Sequence, residues 1–259
     1  MNTITDKKSC RGITIANARG GVGKTFVSIH LAYMLAERRK KVLLIDTDPQ
    51  GTVGLWLNMD SPATLYHLLL GESSLDDCVL RYKDKFDIII SKDYIKEAEI
   101  RMVGMVSREN LLRNRFEEFD VYNRYDFILI DTSPSLSLLN QNAYLASREV
   151  IIPVNMEPLA VVGASSIIES IKIMRKLMKH KIGLLGIVPT FVNNQSNVAK
   201  QVLNLIKANY DNVLPMIHTS VRVKEASGSF QTLNEYDPRN IIIEDMKMIV
   251  DRVLNEKKV

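Results

Sequence analysis

Cysteine is scarce: the chain of 259 residues has two, Cys10 and Cys78, far apart in sequence. Neither belongs to a C-x-x-C pair, which argues against a zinc site, and two isolated thiols make no disulfide framework. A reducing cytosol suits them better. Long apolar runs are also missing. None approaches the roughly 18 residues of a membrane-spanning helix. The stretch before Gly12 is polar, carries Lys7, Lys8 and Arg11, and has no apolar signal-peptide core. Neither sign of charge dominates: 34 Lys and Arg against 30 Asp and Glu leave a net of +4. That excess permits contact with nucleic acid without demanding it. There is no low-complexity block, no Pro- or Ser-rich linker and no repeat of fixed period. Nothing divides the chain, so it reads as a polar extension over 1–11 and a single domain over 12–259, long enough to bury a sizeable core.

What is present is an alternation of short β-type runs and longer helical segments. Residues 12–17 (GITIAN) read as a strand, and 25–37 place Val27, Leu31, Met34 and Leu35 at helical spacing. Residues 42–46 (VLLID) and 127–131 (FILID) are continuous apolar runs ending in aspartate, as expected of strands covered on both faces. Residues 87–90, 149–154 and 182–188 read as further strands. Helices are expected over 108–119, near 163–179, near 198–210 and over 241–255. The alternation predicts an α/β fold, a doubly wound and mostly parallel sheet with helices on both faces. Right-handed crossovers then bring the strand ends, and any ligand, to one edge.

Three segments meet at that edge. Ala18-Arg19-Gly20-Gly21-Val22-Gly23-Lys24-Thr25 lies between a strand and a helix. Gly20, Gly21 and Gly23 let the backbone N–H groups, including that of Val22, turn inward around phosphate oxygens. The helix that follows aims its positive dipole end at the same place. Lys24 supplies a cation for the β- and γ-phosphates, and the Thr25 hydroxyl can ligate Mg²⁺. The usual phosphate-loop pattern has glycine where this chain has Ala18, so this is a variant loop. The other two segments are Asp46-Thr47-Asp48-Pro49-Gln50-Gly51 and Asp131-Thr132-Ser133-Pro134-Ser135, each following a buried strand. A site for Mg²⁺ and a triphosphate needs a carboxylate for the metal's water shell and a polar group to orient the attacking water.

With these segments in view the chain resembles ParA-type ATPases, within the P-loop group that includes MinD and the nitrogenase iron protein. The resemblance runs from Ile13 to about Leu254, carried by ARGGVGKT, VLLIDTDPQG, FILIDTSPSLSLLNQNA, VIIPVNMEPLAVVG and HTSVRVKEASG with a later YDP. It implies that Lys24 and Thr25 bind phosphate and Mg²⁺, that Asp48 positions or activates the hydrolytic water, that Asp46 supports the Mg²⁺ and switch region, and that Asp131 holds Mg²⁺ through water. It also implies an ATP-bound sandwich homodimer, non-specific DNA binding and a ParB-type adaptor that stimulates hydrolysis. A cytoplasmic, nucleoid-associated protein is expected. Two positions depart from the family. Arg19 replaces the signature lysine that reaches the partner's phosphates, an exchange that keeps charge but changes shape. Phe26 replaces a second threonine beside the α-phosphate and is expected to pack under the loop.

Arg222, in SVRVKEAS, matches a family arginine for DNA contact, with Lys224 and Arg239 as neighbours in sequence. A family arginine expected after the strand at 182–188 is missing. Lys172, Arg175, Lys176, Lys179 and Lys181 form a second basic cluster, of the kind usually found on a solvated helix face. The adaptor's docking place is expected among the helices of 94–119. Three other readings compete. A MinD-like membrane switch needs a C-terminal amphipathic helix rich in bulky apolar residues, and the end of this chain has no Trp or Phe. An iron–sulfur protein needs cluster cysteines that this chain lacks. A nearly inactive nucleotide-dependent scaffold is the third.

Overall fold

The computed structural model describes residues 10–178 and 180–255. Residues 1–9 of the expected extension, Lys179 of the basic cluster and the tail at 256–259 lie outside the described residues. Seven strands form one sheet: β1 (Arg11–Ile15), β2 (Val42–Asp46), β3 (Leu80–Tyr82), β4 (Phe86–Ile89), β5 (Phe127–Asp131), β6 (Arg148–Asn155) and β7 (Gly183–Thr190). Their order is β3-β4-β2-β5-β1-β6-β7. Every neighbouring pair is parallel except β3 with β4.

The first half carries helices α1 (Lys24–Glu37), α2 (Thr52–Leu57), α3 (Leu65–Leu70), α4 (Leu75–Cys78), α5 (Ile95–Met102), α6 (Leu111–Glu118) and α7 (Val121–Arg124). The second half carries α8 (Leu138–Ser147), α9 (Pro158–Met178), α10 (Asn197–Asn209), α11 (Arg222–Gly228), α12 (Leu233–Tyr236) and α13 (Ile241–Asn255).

The strand period of two sorts the core. Val42, Leu44, Phe127 and Leu129 face a layer built on α1 and α13. The intervening Leu43, Ile45, Ile128 and Ile130 face α3, α5, α6 and α8. Val150, Ile152 and Val154 of β6 continue that second face beneath α9 and α10. Each such side chain, removed from water, contributes about 1.5–3 kcal/mol. Covering on both faces explains why VLLID and FILID are apolar throughout rather than alternating. Helix α1 is buried on nearly every side, from Phe26 to Leu35.

Several elements differ from expectation. β1 begins at Arg11, one residue before the expected domain boundary, because its guanidinium makes a buried two-point contact with Glu149 at 2.7 and 2.8 Å. The helix expected over 108–119 is a 3₁₀ turn (Arg108–Asn110) followed by α6. Helix α9 starts at Pro158, where proline's fixed φ suits a first turn. Strand β3 and helix α8 were not anticipated. Cys78, in a segment that reads as polar, is buried.

Candidate functional site

Parallel pairing aligns Asp131 with Ile15 of β1 and with Asp46 of β2, so both aspartates stand side by side at the carboxyl edge. The Gly-rich loop leaves β1 at the same edge. Gly21 and Gly23 adopt φ of 73° and 90°, a region that disfavours residues with a Cβ. A Cβ at Gly23 would also fall 2.9 Å from the Phe191 ring.

Side chains distant in sequence hold the loop. Buried Asn17 accepts the Arg19 N–H at 2.9 Å and donates to Pro153 O at 2.8 Å and Ala160 O at 3.2 Å. Thr190 donates to Val22 O at 2.7 Å, tying the loop to the end of β7. Gly163 of α9 lies under this arrangement: a Cβ there would overlap Asn17 Oδ1 and come within 3.1 Å of Arg19 N.

Lys24 donates to Arg19 O at 3.0 Å, so its ammonium folds back over the loop. Burial lowers its pKa, while Asp131 and Asp48 oppose the shift. Thr25 donates to Asp131 Oδ2 at 2.6 Å, and Ser28 to Oδ1 at 2.9 Å. Burial raises the Asp131 pKa to about 6 despite those two bonds and Lys24. Asp46 is also pushed well up, first by burial and then by Asp131. Its oxygens accept Asp48 N–H at 2.8 Å and Val53 N–H at 3.0 Å, which shapes the turn that presents Asp48. Asp48 is half-buried, and its Oδ1 accepts Gln50 N–H at 2.8 Å.

This donor set fits Mg²⁺. The Thr25 proton is committed to Asp131, which leaves the hydroxyl lone pairs for a cation, and all nearby donors are oxygens. Carboxylates crowded and buried enough to resist ionising would be relieved by such a charge. Among the described residues no cluster of three or more His, Cys, Asp or Glu forms a cage by itself. That suits Mg²⁺, which usually keeps waters and substrate phosphates in its shell.

A family model for an AAA domain matches residues 10–184. The chain is 35% identical over 234 residues to the sporulation initiation inhibitor protein Soj of Bacillus subtilis, covering 88% of this chain and 92% of Soj. It is 31% identical over 236 residues to the chromosome partitioning protein ParA of Caulobacter vibrioides, covering 88% and 87%. The chain belongs to the Soj/ParA family of P-loop ATPases. An ATP complex of a McdA variant from Cyanothece shares the fold, with a TM-score of 0.85 at 21% identity over 97% of this chain and 99% of that one.

Arg19, the residue expected in place of the signature lysine, has its guanidinium exposed, 3.8 Å from the carboxylate of Glu157, the residue just before α9. An exposed pair of this kind is worth at most about 1 kcal/mol, so it yields easily to a phosphate. Phe26 is buried and stacks on His30 with ring centroids 4.1 Å apart. Arg222 and Lys224 are exposed on α11, and Arg222 donates to Glu225 at 2.7 Å. Asn17, Ser28, Glu157, Gly163 and Thr190 were missed from sequence. Only Ser28 gave a local signal, lying one helical turn past Lys24.

Proposed function

We propose that this protein is an ATP-driven positioning switch that binds and hydrolyses ATP with Mg²⁺, dimerises on ATP, holds DNA without sequence preference and answers to a ParB-type adaptor. The observation that carries this reading is the contact of Thr25 and Ser28 with Asp131 directly beneath the Gly-rich loop. Bound Mg²⁺ would be held by Thr25 directly and by Asp131 through water, and would neutralise phosphate charge. Lys24 leaves Arg19 O for the phosphates, and the loop N–H groups orient them. Asp48 accepts from the attacking water and aligns it. Asp46 keeps Asp48 in place through its two backbone bonds. Arg19 leaves Glu157 and reaches the partner's nucleotide, where a guanidinium offers two parallel hydrogen bonds. Arg222 and Lys224 supply charge for DNA phosphates. A cytoplasmic, nucleoid-associated location follows from this reading.

DNA is favoured over a membrane surface by the use made of α13. Its apolar residues Ile242, Met246, Ile249 and Val253 are buried in the core layer with α1. Among the described residues no helix is long and apolar enough to cross a membrane. The test is Asp48→Ala, assayed for dimer formation and DNA retention with ATP and Mg²⁺. A long-lived DNA-bound dimer that no longer turns over supports the reading. Turnover at the wild-type rate would remove Asp48 from the chemistry.

A further inference from the structure

The two edges of the sheet differ in charge. The carboxyl edge, with the phosphate loop, presents Asp46, Asp48, Asp131 and Glu157 against Arg19 and Lys24. At the amino edge, where the parallel strands begin, cations gather. Lys41 immediately precedes β2, Arg148 opens β6, and Lys181 lies two residues before β7. Strand pairing sets these starts in one row: Val42 and Arg11 both align with Phe127, Gly12 aligns with Arg148, and Glu149 with Gly183. From β2 across β5, β1 and β6 to β7 the row is about 19 Å wide, four steps at the usual spacing of neighbouring strands. Arg39 and Lys40 join it from the turn between α1 and β2, and Lys176 from the last turn of α9. His180 Nε2 lies 2.8 Å from Leu145 O near the end of α8, which draws the approach to β7 toward Arg148.

The acids of this edge are committed elsewhere. Glu149 is buried against Arg11. Asp126 accepts the Lys41 N–H at 2.8 Å. Glu37 pairs with Lys85, and Asp251 with Arg38. Among the described residues, none of Arg39, Lys40, Lys41, Arg148, Lys176 and Lys181 forms an ion pair, and all but the half-buried Lys40 are exposed. Like charges held together in this way repel and oppose compaction, so the row needs a reason.

Local structure supplies only part of one. Arg39 and Arg148 adopt φ of 60° and 74°, each at a helix end where glycine is the usual residue. The helix dipole favours cations there, but its influence fades beyond the last turn. Lys40, Lys41 and Lys181 lie past that reach. The chemistry of the row points to its occupant. Among the described residues of these connections, Leu177 is the one large apolar side chain that is exposed. A lipid surface calls for a whole apolar face to insert. A rigid row of point charges matches a rigid polyanion instead, and duplex DNA presents one negative charge for about every 1.7 Å of its axis.

We propose that the amino edge of the sheet is a second surface for duplex DNA, gripping the phosphate backbone without reading sequence. The first, proposed above at Arg222 and Lys224, lies toward the carboxyl edge, because α11 packs against α2, which follows β2. One protomer then holds DNA at two opposite edges and can bridge two duplexes. Bridging rests on the function proposed above; the contact at the amino edge does not.

The test uses nucleotide-free Arg222→Glu/Lys224→Glu protein, whose first surface is reversed in charge, and a short duplex of random sequence. Fluorescence anisotropy follows binding as salt is raised. Binding is expected to persist at low salt, with log affinity falling against log salt. Adding Arg39→Gln, Lys41→Gln and Arg148→Gln is expected to reduce that slope by about 2–3, since each phosphate contact contributes about 0.9. Absence of binding, or an unchanged slope, would overturn the proposal. Arg39→Lys with Arg148→Lys keeps the charge and is expected to keep the slope. A loss as large as with glutamine would mean that these arginines serve the fold, which also overturns it. Vesicles of anionic phospholipid are the membrane control: sedimentation with them that the glutamine substitutions abolish, while DNA binding stays intact, would give the edge to lipid and overturn the proposal. Bridging is read separately, as capture of a labelled duplex by a bead-bound one. Nucleotide-free wild type is expected to capture it, and either set of substitutions to prevent this. Capture that survives Arg222→Glu/Lys224→Glu but not the glutamine substitutions would displace the surface at Arg222 and leave the amino edge standing.

Discussion

Replacing His30 by Gln changes how stability depends on pH, by an amount that the surroundings of the ring define. The imidazole is fully buried in α1. Its Nδ1 lies 2.8 Å from Phe26 O, and its Nε2 accepts Leu233 N–H at 2.8 Å. Nδ1 is therefore the donor and Nε2 the acceptor, the neutral tautomer. A second proton would face the Leu233 N–H. Burial opposes the charge as well, and the pKa is pushed down from 6.5 to about 4. Between those values the unfolded chain holds the proton and the folded chain does not, so stability rises with pH across the window. This contribution is complete above pH 6.5 and is lost as pH falls toward 4. At pH 5 the loss is about 2 kcal/mol, since the proton-binding factors of the two states differ by roughly 30-fold.

Asp131 acts in the opposite sense, because its folded pKa of about 6 lies above its ordinary 3.8. The folded state binds that proton first, so its burial penalty eases as pH falls from about 6 toward 3.8. Comparing wild type with His30→Gln cancels Asp131 and every other group common to both. Urea unfolding at pH 7.5 and pH 5.0 supplies the difference. The advantage of wild type over the variant is expected to shrink by about 2 kcal/mol at the lower pH. An advantage constant to within about 0.5 kcal/mol would refute the buried neutral ring.

Gly163→Ala, which forces a methyl into Asn17 and Arg19, is expected to cost about 1–3 kcal/mol of stability; calorimetry should also find weaker ATP binding, and unchanged affinity would show that the loop tolerates displacement. Arg19→Ala is expected to bind ATP yet remain monomeric in light scattering, with Arg19→Lys restoring dimers at least in part; dimers of Arg19→Ala equal to wild type would make Arg19 a bystander. Arg222→Glu should weaken DNA binding, leave ATP affinity alone and lower the slope of log affinity against log salt by about 1–2; an unchanged slope would move the DNA surface elsewhere.

The fold was legible where local pattern and burial coincide. Strands β2 and β5 were readable because sheet interiors demand apolar residues on both faces, and the glycine loop because its spacing has a mechanism of its own. Strand β3 was not, since three residues, Leu80, Arg81 and Tyr82, are too few to establish a period, and its existence depends on antiparallel pairing with β4. In the site, Lys24, Thr25, Asp46 and Asp131 were found from motifs at strand ends. The residues that hold the loop were not, because their contacts are long-range. Thr190 reaches Val22 across 168 positions and Asn17 reaches Ala160 across 143. Arg19 was singled out from its departure, but its resting partner Glu157 needed the placement of α9. Arg11 was read as tail because one charged residue beside a polar stretch gives no sign of a buried partner 138 positions away.

The central claim is that the Gly-rich loop with Asp131 holds Mg²⁺ and a triphosphate, and that Asp48 serves the chemistry. ATP binding by calorimetry and phosphate release, both with Mg²⁺, measured on wild type, Lys24→Ala and Asp48→Ala, test it together. Lys24→Ala is expected to lose binding and turnover alike. Asp48→Ala is expected to keep ATP affinity within about threefold while turnover falls roughly 10²-fold or more, the usual loss when a group that handles the reacting proton is removed. Lys24→Ala binding and hydrolysing ATP as wild type does would contradict the account at its foundation.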